Sequence, residues 1–111
     1  MAWLVRDEVV LCSLEVANTR AARRKGLLGR DGIDGALLLR PARSVHSFGM
    51  RFPLDVAWCD RDLRVVRTAA LPRNRMTRTV LRAHSVLEAE AGAFARWNLR
   101  VGDQLELGAG D

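Results

Sequence analysis

Apolar residues along this chain fall mostly in short runs or in alternation with polar ones, a period near two rather than 3.6. Glu8 to Val16 alternates loosely and is rich in valine and leucine, as a half-buried strand should be. Gly35 to Leu39 and Leu54 to Cys59 are short apolar runs, and Leu63 to Ala69 alternates again. Asp60-Arg61-Asp62 lies between the last two and predicts a tight hairpin, because aspartate tolerates turn conformations. Ser85 to Glu90 reads as a further strand, and Gln104 to Leu107 as the last. Short strands at this spacing predict a mainly-β fold, a small β-sandwich or partly open barrel.

Two short helices interrupt the strands. Asn18 or Thr19 is placed to cap the first, which the pattern runs to about Leu28 and stops at Gly29. Its middle, Arg23-Arg24-Lys25, reads as the solvated side of an amphipathic helix before it reads as a binding face. The second spans about Ala93 to Asn98 and puts Phe94 and Trp97 three residues apart, on one core-facing side. No internal repeat or second domain is visible, so residues 1–111 are taken as one domain.

Composition narrows this picture. A chain of 111 residues with 49% hydrophobic and 28% charged residues is globular and large enough for one core. No apolar run approaches the ~20 residues of a membrane helix, and residues 1–8 lack a secretory leader's apolar stretch, which predicts no membrane partner and a cytoplasmic location. Cys12 and Cys59 then read as buried thiols in a reducing compartment, bridged only if their strands are neighbours. Net charge is +5, and the imbalance is local: residues 61–82 carry seven arginines against Asp62, a balance of +6. The polar segment from Pro72 to Arg82 joins two strands and is expected to be a solvated, mobile connection.

Four blocks carry a resemblance. Thr19 to Arg30 ends Lys25-Gly26-Leu27-Leu28-Gly29-Arg30. Phe48-Gly49-Met50 precedes Pro53-Leu54-Asp55. Val86-Leu87-Glu88-Ala89-Glu90-Ala91-Gly92 forms the third, and Val101-Gly102-Asp103-Gln104-Leu105 closes the series. Their order, spanning residues 19–105, resembles the uncharacterised domain of unknown function 192 family. Many members carry an insert where only Arg51-Phe52 separates Met50 from Pro53 here, and Ala89 stands where a leucine is usual. The resemblance implies a fold and supplies no reaction.

Candidate chemistry gathers around these blocks. On a strand, Asp55 shares a face with Ala57 and Cys59, against Leu54, Val56 and Trp58 on the other. Its carboxylate must therefore find donors near apolar surface: backbone N–H groups, Arg51, or Arg30 at the helix end. His46 shares its parity with Phe48 and Met50 and belongs to the residue type that can serve as base or ligand near neutral pH. Glu88 shares a face with Val86 and Glu90, and the resemblance singles it out. His46, His84, Asp55 and Glu88 offer metal-ligating atoms without ligand spacing, so neither a metal nor another cofactor is predicted.

Three function classes follow. The first is a non-catalytic binding module with a small polar pocket, or a surface for a protein partner, on which Arg30, His46, Met50, Arg51, Asp55 and Glu88 converge. A small hydrolase using His46 with Asp55 or Glu88 as acid and base is the second. The third is a nucleic-acid or polyanion binder using Arg61 to Arg82, with Arg73, Arg75, Arg78 and Arg82 as contacts. Against the third, that segment contains no aromatic residue on which a base can stack.

Overall fold

The chain opens with a hairpin that the pattern did not predict. In the computed structural model, which describes residues 2–109, β1 (Ala2–Arg6) pairs antiparallel with β2 (Val9–Ala17). Arg6 lies opposite Val9, leaving a two-residue turn in which Asp7 and Glu8 both take positive φ, 51° and 67°. Such turns are normally signalled by Asn-Gly or Asp-Gly, and Asp-Glu carries no such signal.

The other elements are α1 (Arg20–Lys25), β3 (Ala36–Leu39), β4 (Leu54–Cys59), β5 (Val65–Leu71), β6 (Ser85–Glu90), α2 (Ala93–Trp97) and β7 (Glu106–Ala109). Among the described residues the seven strands lie in one sheet, in the order β5-β4-β6-β3-β2-β1-β7. Only β2 and β3 run parallel, and α1 with the following loop makes the crossover that parallel pairing requires. The two strands start in close contact, since a β-carbon at Gly35 would lie 2.1 Å from the Ser13 carbonyl oxygen. The sheet does not close into a barrel. Its two edges nevertheless meet at one corner, where Arg64 bridges Gln104, the Val65 N–H donates to Asp103 O (2.9 Å) and the Leu105 N–H donates to Leu63 O (3.0 Å). The fold is thus mainly β with two short helices, as the pattern predicts.

Strands β3, β4 and β6 are covered on both faces, which is why Ala36-Leu37-Leu38-Leu39 reads as an unbroken apolar run. One face packs Leu4, Leu38, Cys59, Leu87 and Leu105 against Phe94 of α2. The opposite face packs Leu37, Leu54, Trp58 and Val86 under Leu27, Met50 and Phe52. The predicted parity on β4 holds: Leu54, Val56 and Trp58 enter the second core, and Ala57 and Cys59 the first.

Several boundaries shift for local reasons. Thr19 caps α1 by accepting the Ala22 N–H on Oγ1 (3.1 Å), but the helix ends at Lys25 because Gly26 takes φ +49°. The 60–64 hairpin is held by the Asp60 carboxylate, which accepts the N–H groups of Asp62 and Arg64, both at 3.0 Å. Leu63 is drawn into that turn at φ 65°, so β5 begins at Val65. Cys12 on β2 and Cys59 on β4 are separated by β3 and β6 and are both free; burial pushes their thiols up to about 11 and about 12.

Residues 72–82, read from the sequence as a solvated connection, are fastened antiparallel to residues 43–47. Ser47 N–H donates to Arg75 O (2.8 Å), Thr77 N–H to Val45 O (2.9 Å) and Val80 N–H to Arg43 O (3.0 Å). The fully buried Ser47 hydroxyl donates to Pro72 O (2.6 Å) and accepts the Arg75 N–H (2.9 Å). Trp58 completes the anchor by donating its indole N–H to Arg43 O (2.9 Å).

Candidate functional site

Between α1 and the loop after β3 lies a cavity of about 310 Å³. The end of α1 contributes Arg23, Arg24, Lys25 and Gly26; the loop contributes Pro41, Ser44, Val45 and His46; Met50 and Leu39 add apolar wall. Its position follows from the second core. The helix is only six residues long and buries none of its own, so Leu27 alone descends fully into the core beneath it. The space above the sheet is therefore incompletely filled. Arg23 ties the walls together by donating to Arg40 O (3.4 Å).

Glu88 also lines this cavity. It sits in β6 between Leu37 of β3 and Val56 of β4, so its side chain enters an apolar neighbourhood from the middle of the sheet. It is 4% exposed and is the only charged side chain buried among the described residues. None of the three ion pairs found among those residues includes it. Removal from water, with no donor among the described residues to compensate, pushes its carboxyl up from 4.5 to about 7. A β-carbon at Gly26 would lie 3.6 Å from Glu88 Oε1, which places the carboxylate directly against the end of α1.

Of the six residues expected to converge, the structure brings together His46, Met50 and Glu88 and places three elsewhere. Asp55 is on the opposite face of the sheet, where Oδ2 accepts the N–H groups of Gly92 (3.0 Å) and Phe94 (3.1 Å). α2 has no side-chain cap of its own, so this carboxylate from a neighbouring strand satisfies its first donors. Arg30 forms a two-pronged pair with Glu15 at 2.7 and 2.8 Å, which holds the Glu15 carboxyl below its usual range. Arg51 pairs with Asp31 on the exposed surface (3.0 Å). The expected convergence fails for these three because each found a nearer partner, and a His46–Asp55 acid–base pair is ruled out by the intervening sheet.

The sequence reading passed over Gly26 and the basic end of α1 as parts of a site. The signal was available in Arg23-Arg24-Lys25-Gly26, where a helix-ending glycine follows three cations. Among the described residues, no group of three or more His, Cys, Asp or Glu side chains is arranged to hold a metal ion. No helix among them is long and apolar enough to cross a membrane.

The fold also places the arginine segment. Arg73 donates Nε to Met50 O (2.8 Å), Arg75 donates to Asn74 O (3.2 Å), and Arg75, Arg78 and Arg82 are exposed. Beside them, Phe48 stacks on His46 with centroids 5.2 Å apart and planes 25° from parallel.

Comparison with known proteins agrees with this architecture. The chain matches the model of the DUF192 family, described as Uncharacterized ACR, over residues 3–107. No curated protein matches it. A protein of unknown function from Novosphingobium aromaticivorans is similar in structure, with TM-score 0.79 and 23% identity over 95% of this chain and 82% of that one. So is a protein from Sinorhizobium meliloti described as a candidate transcription regulator, with TM-score 0.79 and 21% identity over 95% and 90% of the two chains. At these identities the likeness is one of fold.

Proposed function

The chain belongs to the uncharacterised domain of unknown function 192 family, and from that premise we propose that it is a binding module whose cavity between α1 and the 41–50 loop takes a small polar ligand. The observation that carries this reading is Glu88, a carboxylate without an ion-pair partner among the described residues, set beside the apolar part of the cavity wall. Burying such a group without a partner costs stability, and an apolar residue of the same size would cost less. A ligand with a cationic or hydrogen-bond-donating end supplies the missing partner. Arg23, Arg24 and Lys25, on the same cavity, favour a ligand whose other end is anionic.

The volume suits a small molecule, since ligand pockets begin at about 300 Å³. His46 is exposed and Met50 buried on the same cavity, offering one hydrogen-bonding and one adaptable apolar contact. No observation favours the hydrolase alternative, which retains only His46 and Glu88 and has no activated nucleophile beside them.

Thermal-shift screening of amino acids, amino sugars, polyamines and organic acids tests the reading. A ligand at about 100 times its dissociation constant adds about 2.7 kcal/mol of stability. The expected hit carries a cationic or donor group, and Glu88→Gln weakens it at least tenfold. Hits that bind Glu88→Gln and His46→Ala as well as the wild type would place binding outside this cavity.

A further inference from the structure

Charge is divided between the segments over the second core and the rest of the chain more sharply than the net value suggests. The segments that cover the second core, residues 18–35, 40–53 and 72–84, contain twelve basic and two acidic residues, a balance of +10. The rest of the chain contains six basic and eleven acidic residues, a balance of −5. Such a separation orients the molecule in the field of a polyanion and concentrates that partner on one side.

Arginine forks alone bind phosphates without distinguishing polyanions; aromatic faces add a preference for unpaired bases. The stretch Arg61 to Arg82 has no aromatic residue, but the fold supplies one from elsewhere. Residues 45–49 run alongside residues 74–77: His46 lies opposite Met76, Ser47 N–H donates to Arg75 O (2.8 Å) and Gly49 N–H donates to Asn74 Oδ1 (3.0 Å). Phe48, one residue beyond Ser47, is thereby held alongside the Asn74–Arg75 backbone while remaining 48% exposed. Its ring stacks on His46, so an exposed two-ring platform is carried on the segment that pairs with residues 74–77.

We propose that this lobe, with the Phe48–His46 stack as base platform and Arg75 and Arg78 as phosphate contacts, binds single-stranded nucleic acid. The platform can be extended by one base, and the arginines of the paired segment follow the backbone. A duplex offers the same phosphates without free base faces and binds more weakly. An anionic membrane offers phosphates too, but the lobe's helix, α1, is six residues long, too short to lie along its surface as a membrane-binding helix. The site shares His46 with the cavity and otherwise uses different residues.

Fluorescence anisotropy with a labelled twelve-nucleotide RNA, its DNA counterpart and the matching duplex, at two salt concentrations, tests this. Single strands should bind more tightly than duplex, and affinity should fall with salt at a slope of about −0.7 per phosphate contacted. Phe48→Ala should weaken single-strand binding by about 5- to 150-fold, the range for loss of one stacked base, with the melting temperature unchanged. Arg75→Ala and Arg78→Ala should each flatten the salt slope. Three results would overturn the proposal: equal affinity for single strand and duplex, unaltered binding by Phe48→Ala, or no nucleic-acid binding at all. Cosedimentation with phosphatidylglycerol vesicles in place of RNA binding would reassign the lobe to membranes.

Discussion

Replacing Glu88 with glutamine removes one ionisation while nearly preserving shape, and the consequence for stability has a definite sign. The carboxyl titrates near 7 in the folded protein against 4.5 ordinarily. Between those values the folded state binds more protons than the unfolded chain, so stability falls as pH rises through this window. Below about 4.5 the wild type carries no such penalty, and above about 7 the penalty is complete. At 1.36 kcal/mol for each pH unit of displacement, the full penalty is roughly 3 kcal/mol. With an unfolding entropy of about 2.1 cal/mol/K per residue, this is roughly 10–15 °C in melting temperature.

Glutamine has no charge to lose, and any cost of its buried amide is independent of pH. The informative quantity is therefore the difference in melting temperature between Glu88→Gln and wild type, measured by circular dichroism at half-unit intervals from pH 4 to 8.5. That difference should climb by the stated amount between pH 4.5 and 7.5 and then level off. Other titrating groups, including the Arg30-paired Glu15, cancel because both proteins contain them. A difference that stays flat across the range would mean that Glu88 is solvated or paired in the folded protein, and the cavity reading would lose its foundation.

Two further substitutions test how the site is framed. Asp55→Ala removes the acceptor for the Gly92 and Phe94 N–H groups at the start of α2 and should cost about 1–2 kcal/mol in urea unfolding. In the same variant, binding in the Glu88 cavity should be unchanged, because the sheet separates the two. Ser47→Ala strands the Pro72 carbonyl and the Arg75 N–H; a loss of about 1–3 kcal/mol, with faster proteolysis within residues 72–80, is the expected outcome. Resistance equal to wild type would show that the backbone hydrogen bonds hold the segment alone.

Much of the sheet was legible because burial imposes simple patterns. β4 begins and ends where its apolar run does, since strands covered on both faces tolerate few polar residues, and β6 spans Ser85–Glu90 as the pattern predicts. Parity alone assigned Leu54, Val56 and Trp58 to one face and Asp55 to the other. What parity cannot give is which strand lies beside which. Val56 stands opposite Glu88, and only that register sets the two acids, Asp55 and Glu88, on opposite faces. The site was legible one residue at a time, through His46, Met50 and Glu88, while Arg51 was drawn to Asp55 by closeness in sequence and Arg30 by its place at the helix end. The pairing of the Phe48 segment with residues 74–77 was invisible for the converse reason: Ser47 and Arg75 are 28 positions apart, and hydrogen bonds from Ser47 and Gly49 make the two segments neighbours.

Gly26 joins the two levels and yields the last prediction. As the residue that stops α1, it adopts φ +49° and ψ −127°, a conformation that glycine reaches without strain and alanine does not. As part of the cavity wall, it leaves bare the space beside Glu88 Oε1, where a β-carbon would sit at 3.6 Å. Gly26→Ala should therefore cost about 1–3 kcal/mol through the backbone at every pH. It should also withdraw more water from the carboxylate, moving the upper limit of the pH-dependent window above its wild-type position. A role in stopping the helix alone predicts the first effect without the second. Combining Gly26→Ala with Glu88→Gln separates them: the pH-independent loss should persist, and the displaced window should vanish with the charge. If the window of Gly26→Ala coincides with that of the wild type, the glycine serves the turn and not the cavity.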